Sequence, residues 1–236
     1  MTTPSEHVTK AIVLMITNKG KPTVDEDTGQ WVFTTGLHFE PEYPWWFFGS
    51  DDRMNCNLWK IVFYDFIADY DPELSCVASH CQNCYKVVVK PKTWKDFTEL
   101  EEVFEGLGMP GKMGVEVRPK VKGLYGAYFY GRGLEEGRRN YKKIRKAVPD
   151  HIPVILKRGC TEMEGTVGPS DKWEVSPEQL EIEEELERRV RIDVIRREKT
   201  EEDKKRVHDY WQRFAYKFDY TYEGEELYSK PVTYTP

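Results

Sequence analysis

The sequence predicts an α+β fold whose centre is a split βαββαβ, ferredoxin-like core. Between residues 85 and 157 the hydrophobic pattern switches between the two-residue period of strands and the 3.6-residue period of helices. The resulting order is strand, helix, strand, strand, helix, strand. Two βαβ halves with right-handed crossovers produce such a core. Cysteines stand at both ends of this region, in the segment 76–84 and at Cys160.

The first half of the core has clear boundary signals. Residues 85–90 are rich in valine and end before Pro91, which is typical of a short buried strand. Thr93, followed by Asp96 three positions later, predicts the N-cap of the first helix. The same reasoning predicts the remaining elements, which are strands at 113–118, 124–130 and 153–157 and a helix at 134–148.

Two further segments flank the core. An N-terminal aromatic-rich β/α subdomain occupies residues 1–75, and the core occupies residues 76–165. Within the subdomain, residues 8–17 predict a strand, with residues 31–35 pairing back as a hairpin, and residues 57–67 predict a helix.

The C-terminal arm, residues 166–236, predicts a helical hairpin and an extended tail. Ser176 begins a capping box, and apolar residues spaced by four continue the first helix as far as Val194. Thr200 begins the second helix, and the tyrosine-rich residues 220–236 form the tail. Such an arm predicts a homo-oligomer or a protein complex. One functional alternative is an assembly subunit that binds partners through the aromatic loop at residues 37–48 and the tail.

Composition limits the function classes. The 236 residues carry a net charge of −6, which does not favour general nucleic-acid binding. The N-terminus lacks the pattern of a signal peptide, and no apolar run reaches the roughly 18 residues of a membrane span. These observations predict a cytoplasmic protein that binds no membrane. Five cysteines in a reducing compartment favour metal ligation over disulfides.

The cysteine spacing predicts a metal centre. Cys76, Cys81 and Cys84 form a C-x4-C-x2-C cluster, and strand pairing in the predicted core brings Cys160 close to Cys84. Cys56 is an alternative fourth ligand. This ligand order resembles that of plant-type ferredoxins, although the fourth cysteine is much farther along the chain, so the family is not assigned. The all-thiolate set favours an iron–sulfur cluster over structural zinc and predicts electron transfer or a role in a redox complex.

A nucleic-acid-binding module is a second alternative. Residues 111–147 contain eleven Lys or Arg against three Glu. A basic stripe beside aromatic strand residues on a split βαβ sheet resembles an RNA-recognition motif. The residues that this resemblance selects are Arg118, Lys122, Tyr125, Arg138, Arg139 and Lys142. By contrast, no nucleophile or acid–base pair stands out in the sequence, so no catalytic activity is assigned.

Overall fold

The computed structural model describes residues 3–19, 22–36, 44–49, 77–119, 121–195 and 199–223. In chain order, its elements are α1 (Pro4–Lys19), β1 (Thr23–Val24), β2 (Trp31–Gly36), β3 (Trp45–Phe48), α2 (Ser79–Gln82), β4 (Cys84–Val89), α3 (Trp94–Gly106), β5 (Gly111–Val115), β6 (Tyr125–Arg132), α4 (Gly133–Ala147), β7 (Val154–Arg158), α5 (Thr161–Val167), α6 (Pro177–Arg189), β8 (Val190–Ile195) and α7 (Glu201–Phe218).

These helices and two sheets confirm the predicted α+β class. The predicted helix at residues 57–67 and the last thirteen residues of the predicted tail lie outside the described residues.

The larger sheet contains five antiparallel strands in the order β3-β5-β6-β4-β7. Strand β4 lies between β6 and β7, so the predicted strand pairing that brings the start of the first core strand close to the end of the fourth is confirmed. Strand β3 adds a fifth member at the edge. The close approach of β3 to β5 requires Gly114, because a Cβ there would overlap the backbone of Pro44.

Three helices, α3, α4 and α7, share one core with a single face of this sheet. The predicted N-cap of α3 is confirmed, since the Thr93 side chain accepts a hydrogen bond from the Asp96 N–H at 3.1 Å. Trp211 anchors α7 through a fully buried ring that meets Phe97 edge to face at 4.8 Å. Its indole N–H donates to the Pro44 carbonyl at 2.8 Å.

The smaller sheet has the order β1-β2-β8, and its last two strands are parallel. Helices α1, α2 and α6 contribute to a second core beside it. The prediction of a strand at residues 8–17 is wrong. Helix α1 forms instead, because Val8, Ala11, Ile12 and Met15 follow helical spacing and are all buried.

The prediction that one helix continues to Val194 is also wrong. Helix α6 ends at Arg189, and the next six residues form β8, so a strand separates α6 from α7. The β-branched residues of this segment pair with β2, which lies far away in the sequence. The predicted N-caps at Ser176 and Thr200 are confirmed, because both side chains accept N-terminal backbone N–H groups. The Gln179 side chain donates to the Val77 carbonyl instead of completing the capping box predicted at Ser176.

Candidate functional site

One face of the five-stranded sheet carries polar and aromatic side chains, and the opposite face carries the core. Side chains alternate along a strand, so Val87 of β4 lies in the helix-covered core, whereas Lys86 and Val88 face the other way. Tyr128 and Tyr130 of β6 share this second face with Val88. The candidate site lies at one end of this face, where β4 begins and β7 ends.

The central contact of the site joins Lys86 to Cys160. Lys86 Nζ donates a hydrogen bond to Cys160 Sγ at 2.9 Å and lies 5.6 Å from the ring centroid of Tyr130. Lys86 is only 6% exposed, whereas Cys160 is partly exposed. Among the described residues, no carboxylate accepts a hydrogen bond from Lys86. The sulfur of Cys160 is therefore the hydrogen-bond acceptor of a buried ammonium group.

A turn after β7 places Cys160 beside Lys86. Gly159 has φ of +64°, in the left-handed region that favours glycine. Its N–H donates to the Cys84 carbonyl at 2.8 Å, which closes the ladder between β4 and β7. A side chain at Gly159 would also overlap the ring of Trp173. The glycine therefore allows the chain to leave the sheet and place Cys160 before α5.

The electrostatics of the site favour a charged lysine. Burial alone would lower the pKa of Lys86, but the charges of Cys160, Tyr130 and Cys84 outweigh it and raise the pKa above its ordinary value. Burial raises the pKa of Tyr130 to about 12, against an opposing effect of the Lys86 charge, so the phenol stays neutral near pH 7. Among the favourable effects, the charge of Cys160 raises the pKa of Lys86 the most.

The two cysteines of the predicted C-x2-C pair lie in different surroundings. Cys84 begins β4, and its charge acts on Lys86. Cys81 is 2% exposed and belongs to the second core, with Val77 and Trp173. Neither cysteine, nor Cys160, is in a disulfide.

The predicted cysteine-ligated metal function is contradicted by this arrangement. Within the part of the chain that the structure describes, no three or more His, Cys, Asp or Glu side chains are grouped to hold a metal ion. The physical reason is that Cys81 is drawn into an apolar core, while Cys160 already bonds to a cation, Lys86. Cys76 and Cys56 lie outside the described residues, so the choice between iron–sulfur and zinc stays a prediction from sequence.

A second polar cluster lies on the same sheet face, beyond the end of β5. The Glu116 carboxylate is buried and accepts hydrogen bonds from Arg118 Nε at 2.7 Å and from the Tyr128 hydroxyl at 2.8 Å. The Arg118 guanidinium stacks 5.1 Å from the rings of Trp45 and Tyr128, and Lys112 lies 4.2 Å from the Trp45 ring centroid. Within this cluster Arg118 pairs with Glu116, and the contacts of both cations with Trp45 help to anchor β3 to the sheet.

The structure separates the predicted nucleic-acid residues. Tyr125 is 2% exposed, stacks on Phe97 and donates to Asp219 at 2.6 Å, which places it inside the helix-covered core. Arg118 lies on the opposite sheet face, within the Glu116 cluster. The remaining four residues predicted for nucleic-acid binding are exposed to solvent. They are Lys122 between β5 and β6, and Arg138, Arg139 and Lys142 on α4.

Sequence reasoning missed Lys86. The available signal was a lysine inside a valine-rich strand, where period-two alternation places it on the same face as Val88. Pattern alone does not distinguish a lysine that reaches solvent from one that is buried beside a thiol. Its contact with Cys160 depends on the β7 pairing and on the turn at Gly159.

Comparisons with other proteins give no family assignment. No family model matches the chain, and neither a curated protein nor a solved structure is detectably similar to it. Across the described ranges, none of the helices has the length and apolar character required to cross a bilayer.

Proposed function

We propose that this chain is a thiol-dependent redox protein in which Cys160 is the reactive nucleophile and peroxides are the substrate class. The contact that supports the proposal is the 2.9 Å hydrogen bond from the buried Lys86 ammonium to Cys160 Sγ. Thiolates, not thiols, attack electrophiles, and a neighbouring cation favours the thiolate.

Burial makes this pair more than a surface contact. An unpaired charge in a low-dielectric environment is strongly disfavoured, so a buried ammonium requires a nearby anion. The thiolate of Cys160 supplies that anion, with Cys84 as a second nearby sulfur. The lysine in turn stabilises the form of Cys160 that reacts.

The surroundings suit a small oxidant. Cys160 is partly exposed, whereas Cys81 is enclosed by the second core, so Cys160 is the better placed of the two to meet a small molecule from solvent. The thiolate is the form of cysteine that attacks a peroxide, and the Lys86 ammonium favours that form. The product of this attack is a sulfenic acid.

We also infer that the scaffold of this site is a ferredoxin-like, split βαββαβ core. Strands β4 to β7 follow the order β7-β4-β6-β5, with helix α3 after β4 and helix α4 after β6. This order supports the assignment. A reducing compartment such as the cytoplasm suits a protein whose described cysteines are outside disulfides. Self-association through the C-terminal arm stays a prediction.

The proposal is tested by mapping peroxide oxidation in the full-length protein. The protein is treated with limiting hydrogen peroxide in the presence of a sulfenic-acid-specific carbon nucleophile, and each cysteine is quantified by mass spectrometry. We expect Cys160 to be labelled first and Lys86→Met to slow its labelling at neutral pH.

Lys157→Met is the matched control. Lys157 lies opposite Lys86 in the β4–β7 ladder, but it pairs with Glu164 and donates to Thr161 at 3.2 Å. This control should leave the labelling of Cys160 unchanged. Equal labelling rates in wild type and Lys86→Met would contradict the proposal.

A further inference from the structure

Lys86 Nζ is placed to do more than stabilise a thiolate. Given the proposed function, on which this inference rests, we propose that oxidised Cys160 is captured by the Lys86 amine to form a covalent Lys–Cys sulfenamide. The nitrogen already lies 2.9 Å from the sulfur. The buried side chain is directed at Cys160 from a strand that is hydrogen-bonded on both sides, to β6 and to β7.

The reaction balances with hydrogen peroxide as the only oxidant. The Cys160 thiolate attacks one peroxide oxygen, the O–O bond breaks, and hydroxide leaves. The Lys86 ammonium protonates that hydroxide to water and becomes a neutral amine. The amine then attacks the sulfenic sulfur, an S–N bond forms, the S–O bond breaks, and a second water leaves. Sulfur is oxidised by two electrons, and the peroxide is reduced to two waters.

The local environment favours the second step. Once sulfur becomes an uncharged sulfenic acid, the buried lysine has lost its nearest counter-charge, and burial then favours the neutral amine. The amine is the nucleophile that the second step needs. Sulfenic acids are known to condense with nitrogen nucleophiles as well as with thiols, and the amine is the hydrogen-bond partner of this sulfur.

The competing nucleophile is the thiol of Cys84. It precedes Lys86 by two residues on β4, so alternation places it on the same sheet face. A Cys84–Cys160 disulfide is therefore the alternative product. The sulfenamide would join β4 to the segment after β7, protect Cys160 from further oxidation, and be reversed by thiol reductants, which return amine and thiol.

The experiment uses the full-length protein and limiting hydrogen peroxide, followed by digestion and tandem mass spectrometry. We expect a cross-linked peptide pair joining Lys86 to Cys160, lighter than the sum of the two peptides by two hydrogen atoms and lost after dithiothreitol treatment. Fragment ions that place the link on Lys86, and not on Cys84, decide the question in the wild-type protein, so the test does not depend on a variant that folds.

Three variants sharpen the result. Lys86→Arg keeps a cation beside Cys160 but removes the amine, so Cys160 should still oxidise while the cross-link disappears. Cys84→Ser should retain the cross-link, and so should the control Lys157→Arg, whose lysine pairs with Glu164.

Each remaining outcome has a separate meaning. Oxidation of Cys160 only to a disulfide with Cys84, or only to a sulfinic acid, would overturn the sulfenamide and leave the proposed function standing. Absence of any oxidation at Cys160 would overturn both. Persistence in Lys86→Arg of a cross-link to Cys160 that fragment ions place on a nitrogen, and not on Cys84, would show that another nitrogen is the nucleophile and would also refute the inference.

Discussion

The pH dependence of Cys160 reactivity gives the sharpest test of its pairing with Lys86. Lys86→Met removes the ammonium that lies 2.9 Å from Sγ and replaces it with an apolar side chain of similar length. The thiolate then loses its hydrogen-bond donor and its counter-charge, so the pH midpoint of alkylation should move upward. The main-chain bonds of β4 to β6 and β7 and the core packing of Val87 and Val89 are left in place by the substitution.

The magnitude follows from two opposing effects. A charge this close changes the ionisation of its partner by about 1–3 pH units, and we take about 2. A more basic thiolate is also a better nucleophile, which restores roughly 0.4–0.5 of that change on a logarithmic scale. Alkylation of Cys160 in Lys86→Met should therefore be about tenfold slower below both midpoints and about eightfold faster above both.

The assay is the rate of Cys160 alkylation by iodoacetamide between mildly acidic and alkaline pH, read by mass spectrometry. If the substitution only changed the access of iodoacetamide to Cys160, the alkylation rate would shift by the same factor at all pH values. If it changes the ionisation of Cys160, the pH–rate profiles of wild type and Lys86→Met should cross. Lys157→Met is the control, and its profile should overlay the wild type. Parallel profiles for wild type and Lys86→Met would refute the reasoning, as would coincident ones.

Three further predictions concern stability. Trp211→Ala removes a ring that is 1% exposed, so urea denaturation should show a loss of about 3–5 kcal/mol in the free energy of unfolding; a loss below about 1 kcal/mol would contradict the burial. Gly114→Ala places a Cβ against the backbone of Pro44, the residue before β3, so it should lower Tm by several degrees, corresponding to about 1–3 kcal/mol. An unchanged Tm would show that the chain entering β3 does not pack there. Burial raises the pKa of Glu101, but the hydrogen bond from His208 and the charge of Lys204 lower it overall. The carboxylate therefore stabilises the fold above its ordinary pKa of about 4.3, and this contribution is lost as pH falls through the lowered folded value. Glu101→Gln should lower the free energy of unfolding by about 1 kcal/mol at neutral pH and by little at roughly pH 2. Chemical denaturation of both proteins at both pH values tests this, and an equal loss at the two pH values would contradict it.

Local sequence signals were sufficient to predict most of the strands and helices between residues 85 and 157. Valine-rich strands, the N-caps at Thr93 and Ser176, and the handedness of βαβ connections predicted the neighbours of β4 and the closeness of Cys84 to the end of β7. The cap predictions succeed because a cap involves residues only three or four positions apart. The strand neighbours could be predicted because few sheet topologies satisfy the rules for connections between strands.

Contacts between residues far apart in the sequence decided between helix and strand where the hydrophobic periodicity fits both. The segment Val190–Ile195 fits a helical stripe as well as a strand, and it becomes β8 because β2 offers a parallel partner from the other end of the chain. Residues 8–17 are rich in β-branched side chains, yet α1 forms because a helix buries its apolar stripe in the second core. Tertiary context overrides propensity where the propensity difference is small.

The sequence by itself determined which residue types stand near the ends of the first and fourth core strands, and that cysteines are among them. Only the tertiary structure decided their chemistry. It drew Cys81 into an apolar core, turned Cys160 at Gly159 toward the sheet, and buried Lys86 against its sulfur. Spacing along the chain specifies which thiols can approach one another, but the charge that faces a thiol comes from a side chain on another strand.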